Sequence, residues 1–457
     1  MKLRWRIAIG VLGVFLLFGL SHFIFNKSSQ TELEKYKAEL RGNGEKLTLA
    51  EVLPERGTNE AALEDFVAVV GSFQNTASKP WDLPWFEYAS AGEVVPLLGQ
   101  STRSSARSSL DAVLADLRTF KNSFEDLHGL AKNLELNPTW DTADPYVSSA
   151  PLYVAKRTSA QWLGAAAIAE MHAGNSEAAI EHLLALINLS RFYENDFSLA
   201  HQMIRQAVAT LGFHTTWQVL HSYSTNCSEA DLKKLQHRWE SFEIIAMMEH
   251  SFISERARFL HHMDLSRSTP PSGIDDYLWQ SLTQNENELL YLSFLQSIIE
   301  GLRSVKTNKP WSDSHQNLTQ HFSLIEQKTG IVDRVRYSLT LIALPNFKKL
   351  PPSSVRNETS RRLTVTAIAL KRYQTSKGRL PSDLNALIPE FITAVPIDCM
   401  DGKPLKYKLN PDGTFLLYSI GENGKDDGGD PTSETTGTTH DLWSGRDAVW
   451  PKPASLD

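Results

Sequence analysis

The densest concentration of chemistry-bearing side chains lies between Tyr418 and Asp430, in the run Tyr-Ser-Ile-Gly-Glu-Asn-Gly-Lys-Asp-Asp-Gly-Gly-Asp. Four acidic residues, an Asn, a Ser and four glycines share that stretch, which follows a strand-like run. Carboxylates, hydroxyls and backbone carbonyls are the ligands of a hard cation, and glycines let the backbone bend so that several oxygens converge on one point. The same composition also makes a solvated acidic turn without any metal. Elsewhere the chain offers less. His250, His261 and His262 fall on one expected helix, but lack the His-x-x-x-His or His-Glu-x-x-His spacing that seats a zinc ion. Cys227 and Cys399 lie far apart with no Cys-x-x-Cys spacing, so they read as buried thiols or, in an oxidising compartment, as a pair. No Gly-x-Ser-x-Gly elbow, P-loop or dinucleotide fingerprint is present.

The elements that must position the acidic run are legible on either side of it. Leu405 to Leu409 alternates, Asn410-Pro411-Asp412-Gly413 is a turn, and Thr414 to Ser419 is a second strand. Upstream, Asn357 to Thr375 carries an apolar stripe at helical spacing (Leu363, Val365, Ile368, Leu370, Tyr373) and Gly378 ends it. Ser382 or Asp383 is an N-cap for a short helix through Leu387. One helix on a small antiparallel sheet is an α+β domain. Pro345 and Pro351-Pro352 punctuate the chain just before it, which places a domain over 351–457.

The order of short motifs here resembles the C-terminal domain of the major pseudopilin of type II secretion systems. The helix carries Ala-Leu-Lys-Arg-Tyr (Ala369 to Tyr373), followed by Gly378-Arg379-Leu380-Pro381, Leu384-x-x-Leu387-Ile388-Pro389 and Val395-Pro396-Ile397-Asp398. Next come Gly402-Lys403-Pro404-Leu405-x-Tyr407 and Tyr418 to Gly424, leading to Asp427-Gly428-Gly429-Asp430. The resemblance covers less than a quarter of the chain. In that family the loop holds calcium and is closed by an acidic residue, an apolar one and a Trp, a part that Asp441-Leu442-Trp443 takes here. It therefore implies a structural calcium site with Asp430 and Asp441 as carboxylate ligands. The Ser419 hydroxyl or a neighbouring carbonyl is a further ligand, and Asp427 a reserve. Two departures accompany it: a Thr-rich insertion from Pro431 to His440 separates the two aspartates, and most of the chain precedes the domain. The pilin-like part thus reads as reused on another scaffold.

That scaffold, 28–350, reads as helical. Val113 to Leu130 has helical spacing, and an Ala-rich run from Ser159 to His172 meets Ser176 to Phe192 across Ala173-Gly174-Asn175, as in a tetratricopeptide-type hairpin. No recurrence near about 34 residues supports a regular array. Further helices are expected over Ser198–Tyr223, Ser228–Leu265 and Gly273–Val305, giving an irregular bundle or solenoid that serves as a partner-binding surface or simply as a core. Ahead of it, Lys2, Arg4 and Arg6 precede Ile7 to Phe25, which lacks Asp, Glu, Lys and Arg. About 20 apolar residues suffice to span a bilayer as a helix, and the basic flank favours a cytoplasmic N-terminus. The expectation is an uncleaved, single-pass anchor over 1–27 in a bacterial inner membrane, with lipid contact through residues 7–25 and the bulk of the chain periplasmic.

A net charge of -7 provides no basic field for nucleic acid. Together these readings describe a membrane-anchored envelope protein with a structural, protein-interaction role. Its partners would be other envelope proteins, among them parts of a type II secretion or pilus-like system, and it would not be an enzyme. The alternative is an exported hydrolase whose carboxylates, such as Glu170, Glu249 and Asp275-Asp276, come together from distant parts of the helical region.

Overall fold

The structure is a computed structural model that describes residues 26–53, 60–73, 87–90, 93–96, 110–132, 150–191, 197–223, 227–273, 277, 279–280, 283–328, 330–432, 442–450 and 452–453. The chain is mainly helical, with small antiparallel sheets, and divides into two compact units. One comprises Met1–Leu53, Glu249–Gly301 and Gln316–Pro351; the other comprises Pro54–Met248, Leu302–His315 and Pro352–Asp457. In chain order the principal helices are α1 (26–42), α2 (Glu60–Gly71), α3 (Leu110–Thr119), α4 (Lys121–Lys132), α5 (Ala150–His172), α6 (Ser176–Arg191) and α7 (Leu199–Tyr223). There follow α8 (Glu229–Glu240), α9 (Ile244–Ser268), α10 (Gln284–Lys306), α11 (Trp311–Glu326), α12 (Ile331–Arg336), α13 (Ser338–Phe347) and α14 (Leu350–Lys377).

The first unit is held by an aromatic cluster and by buried charge. Phe259 stacks on Tyr291 at 3.9 Å between ring centroids, and Phe294 stacks on Phe347 at 5.9 Å. The Glu288 carboxylate is fully buried between Lys37 Nζ at 2.6 Å and Arg267, and the Arg256 guanidinium meets Glu45 at 2.8 Å. Charges taken this far from water persist only when paired, because desolvation of an unpaired ion costs more than the fold can offset.

In the second unit, α5 and α6 form the expected hairpin. Gly174 takes a positive φ of 84° at the helix end, and the Asn175 amide donates to the Glu170 carbonyl at 2.9 Å, so the last carbonyls of α5 are satisfied as the chain reverses. Ala165, Ala166, Ala167 and Ala169 are all fully buried, which lets neighbouring helices approach closely. Gly212 on α7 is required for the same reason: a Cβ there would lie 2.8 Å from the Trp239 ring and 2.9 Å from Leu186.

Two helices differ from their expected bounds. The single helix expected over Ser228–Leu265 is broken between α8 and α9. Ser228 caps α8 by accepting from the Asp231 amide at 3.1 Å, and at the far end Phe242 turns into the core beside Trp239. Conversely, α14 starts well before Asn357. Pro351 and Pro352 sit in its first turn, where helical amides have no intrahelical partner and a missing N–H costs nothing.

The 28-residue α14 is the spine of this unit. From Leu363 to Leu370 it is buried on every side. Leu363, Ile368, Leu370, Leu387 and Leu417 belong to one core cluster with Ile180 and Leu183 of α6, Phe213 of α7 and Trp239 of α8. Arg372 donates to Glu229 at 2.6 Å and to Gln236 at 3.0 Å on α8. Buried Glu358 holds Arg361 at 2.7 Å and Arg362 at 2.8 Å, which frees those guanidiniums to donate to the carbonyls of Trp239 (3.0 Å) and Ile397 (2.7 Å).

The C-terminal sheet follows the expected hairpin. Strand β3 (Lys406–Leu409) pairs with β4 (Phe415–Ser419) in the register Lys406–Tyr418 to Leu409–Phe415, around a turn in which Gly413 has a positive φ of 81°. Asp383 caps the short helical turn Leu384–Leu387 through the Asn385 amide at 2.8 Å. A third strand, β5 (Ala448–Val449), pairs with β4 and completes the order β3-β4-β5. A second small sheet joins β1 (Glu87–Ser90) to β2 (Glu93–Pro96) and to β6 (Lys452–Pro453).

The single-pass, inner-membrane reading is corrected. The expected anchor at 7–25 lies outside the described residues, and among the described residues no helix is long and apolar enough to cross a membrane. The longest, α14, carries Arg356, Glu358, Arg361, Arg362, Lys371 and Arg372, each of which would lose its hydration in a bilayer. The transmembrane, signal-anchor and periplasmic assignments are not carried further.

Candidate functional site: an acidic loop beside an aromatic cavity

The acidic run leaves β4 at Ser419 and rejoins the sheet at β5. Its entry is fixed by Asp398, a fully buried carboxylate that accepts from the Ser419 hydroxyl (2.9 Å), the Ile420 amide (2.9 Å) and the Met400 amide (3.0 Å). Its exit is fixed by Asp447, 1% exposed, which accepts from the amides of Gly429 (2.7 Å), Asp430 (3.1 Å) and Asp427 (3.3 Å). Burial pushes the pKa of both groups up, and the donated amides only partly oppose it. Between them the Tyr418 hydroxyl donates to Asp426 at 2.9 Å, and burial, then that carboxylate, pushes the phenol pKa up. Gly421 is indispensable: it has a φ of 71°, and a Cβ there would collide with the Arg446 carbonyl.

The four expected calcium ligands fare differently. Ser419 is buried and its hydroxyl donates to Asp398. The Asp427 carboxylate accepts from the Asn423 side chain at 2.8 Å. Asp430 accepts from the Thr432 amide at 3.0 Å and faces Arg446 at 3.4 Å, and the Thr432 hydrogen bonds, ahead of Arg446, hold its pKa below the usual carboxylate range. Asp441 lies outside the described residues. Among the described residues no group of three or more acidic, His or Cys side chains is gathered in a way that could hold a metal ion. The described part of the ligand set is thus engaged within the protein, and Asp447 occupies the position where the loop strands converge.

Asp447 and Asp398 are the organising residues that the sequence did not single out. Asp398 stands in the Val-Pro-Ile-Asp motif without any visible role, and Asp447 stands in Arg-Asp-Ala-Val-Trp, whose two-residue strand is too short to show a period. Of the carboxylates considered for a hydrolytic pair, Glu170 holds Asn175 at the α5–α6 turn, Glu249 belongs to the other unit, and Asp275 and Asp276 lie outside the described residues.

Next to the loop, α7, α14 and the segment 442–450 line a partly open cavity of about 190 Å³. Its walls include Phe213, Trp217, Trp443 and Trp450, and its polar lining includes His214 and Arg356. Arg356 reaches out to the loop, where it grips Glu422 through two hydrogen bonds of 2.7 Å each. Side-chain hydrogen bonds join the two helices beside it: Thr210 to Asn357 at 2.7 Å and Gln206 to Ser354 at 2.9 Å. His214 differs from these neighbours. Its Nδ1 is buried and finds no hydrogen-bond partner among the described residues, and the loss of hydration lowers the ring pKa to about 4. The imidazole is therefore neutral at neutral pH.

No family model matches the chain, and no curated protein or solved structure does so either.

Proposed function

We propose that this chain is a structural, protein-interaction component that carries a pseudopilin-like C-terminal domain on a helical scaffold and works with parts of a secretion or pilus-like system. The observation behind this reading is the way α14 serves both halves. Its buried middle lies in one core cluster with α6, α7 and α8, while the sheet packs onto the same cluster through Leu417. A domain mounted in this way presents the loop between β4 and β5 at a fixed place, which suits a surface that another protein reads. Calcium belongs to the proposal as a structural ion on the Asp430 and Asp441 carboxylates, where it would tie the Thr-rich insertion to the loop.

The test is site-specific photo-crosslinking of the full chain in its own cells, with the photoreactive residue at exposed Lys425 in the loop and at exposed Lys408 on β3. Discrete adducts with other polypeptides, including secretion-system proteins, are expected from Lys425. If neither position yields a protein adduct, the interaction role fails.

A further inference from the structure

We propose that α12 and α13 dock on an anionic lipid surface, lying along it without crossing it. The two helices turn apolar side chains away from the protein: Ile331 (86% exposed), Val332, Val335 and Ile342 (73% exposed) are open to solvent. No other described helix opens more than one large apolar side chain. None of the six residues of α12 is buried, and α13 buries only Thr340 and Leu344. Polar groups face inward instead. Arg336 pairs with Glu286 at 2.9 Å, and the Thr340 hydroxyl donates to Asn287 Oδ1 at 3.0 Å, both on α10. Apolar residues exposed singly are ordinary on a surface, but a set gathered on adjoining helices marks a place that something apolar covers.

Charge and side-chain type choose the occupant. Residues 328–349 carry five cations against one acid, Asp333, in a chain whose net charge is -7. Glu286 answers Arg336, and Glu326 answers Lys348 at 2.9 Å. Lys328, Arg334 and Lys349 form no ion pair among the described residues, and Lys328 Nζ sits 4.5 Å from the Tyr337 ring, at the joint of α12 and α13. Cations beside an outward apolar stripe match the phosphates and acyl boundary of an anionic lipid surface. The open side chains are all aliphatic. A protein partner would be expected to meet aromatic anchors, since the residues that carry protein interfaces are mostly Trp, Tyr and Arg, with Leu and Val under-represented. The contact is independent of the interaction role, because α12 and α13 belong to the unit that does not contain the C-terminal sheet.

The experiment places an environment-sensitive fluorophore on Ile342→Cys in the full-length protein, whose own Cys227 and Cys399 are buried. Vesicles of phosphatidylcholine, with or without phosphatidylglycerol, are titrated in, and quenching by brominated acyl chains reports contact at that position. Quenching is expected at a lipid concentration at least about 10-fold lower with phosphatidylglycerol than without it, and added salt narrows the difference. Arg334→Glu with Lys349→Glu abolishes that preference. Ile331→Asp with Val335→Asp raises the lipid needed for the same quenching at least about 10-fold. These side chains are open to solvent, so both double variants keep the wild-type unfolding midpoint. Three results overturn the proposal. Vesicles that bind the protein, or fail to, while the probe stays unquenched would show that the face does not touch lipid. A probe already in apolar surroundings and indifferent to vesicles would show that the chain's own run at 7–25, or a second copy, covers the face. Quenching unchanged in both double variants would show that neither the cations nor the aliphatic stripe makes the contact.

Discussion

The acidic loop and the aromatic cavity are neighbours built on opposite principles. In the loop, every carboxylate described above is answered from within, and two buried ones, Asp398 and Asp447, accept three donors each. In the cavity, rings define the space. The clasp between Arg356 and Glu422 joins the two through side chains, and the 442–450 segment joins them through Asp447. Full satisfaction marks a part that keeps its shape without help.

The sharpest way to break this contrast is to remove the loop's organisers. Asp447→Ala strands three part-buried backbone amides and Asp398→Ala strands two buried amides and a buried hydroxyl. Each is expected to cost about 3 kcal/mol or more in chemical denaturation. Asp430→Ala, by contrast, removes a half-exposed group and is expected to cost under about 1 kcal/mol. If Asp430 mattered as much as Asp447, an ion and not the protein's own carboxylates would hold the loop.

The next largest effect lies on α7, where it meets α6 and α8. Gly212→Ala drives a methyl group into the Trp239 ring and Leu186, at 2.8 Å and 2.9 Å. Since Trp239 is fully buried and its Nε1 donates to Thr216 at 3.1 Å, the ring has little room to yield. A loss of about 1–3 kcal/mol is expected. Gly164→Ala, whose Cβ would meet the Thr215 hydroxyl at 3.1 Å, is expected to cost less. Equal losses at the two sites would mean that Trp239 moves freely.

These examples also separate what the sequence discloses from what it hides. The hairpin β3–β4, the Asp383 cap and the α5–α6 turn are local: alternation, a capping side chain and a Gly at a helix end act within a few residues and are readable in order. The acidic loop was equally visible because its residues are contiguous. Its organisers were not, since Asp398 and Asp447 reach it from two separate turns of chain. The cavity is less legible still. Its walls come from 210–217, 353–364 and 442–450, and no spacing rule links a Trp, an Arg and a His across such separations. The membrane reading failed differently. An apolar run gives the length of a span, but what the described helices bury is each other.

A pair of buried histidines elsewhere in the second unit ties stability to pH. His128 Nε2 and His182 Nδ1 lie 3.0 Å apart beside Phe124, with Glu181, Glu125 and Lys132 around His128. Burial, then His128, lowers the His182 pKa from its ordinary 6.5 to about 3. Between those values the unfolded chain takes up a proton that the fold refuses. The stability is therefore intact above about pH 6.5 and is lost as the pH falls toward about 3. His182→Phe is expected to flatten the decline over that window by on the order of 2 kcal/mol, read from unfolding midpoints at several pH values. An unchanged slope would show that other groups carry the acid sensitivity.

The Arg356–Glu422 clasp is expected to matter less than its geometry suggests. Both side chains are roughly a third exposed, at 38% and 30%, so solvent screens the pair. Arg356→Ala is expected to cost up to about 1 kcal/mol, and the double variant with Glu422→Ala should show a coupling of the same size. A coupling well above that would make the clasp a structural link between loop and cavity.

The smallest expected effect is that of calcium, and it is also the most direct test of how the loop is held. If an ion bound on Asp430 and Asp441 merely adds to a loop that Asp447 already closes, its contribution follows simple linkage. At a free concentration equal to Kd that is about 0.4 kcal/mol. A small calcium-dependent rise in the unfolding midpoint of the full chain is expected, reversed by chelator and lost in Asp430→Ala or Asp441→Ala. A rise of several kcal/mol would overturn the contrast drawn above, because the loop would then owe its shape to the ion, and the amides gathered at Asp447 would be a consequence of closure instead of its cause.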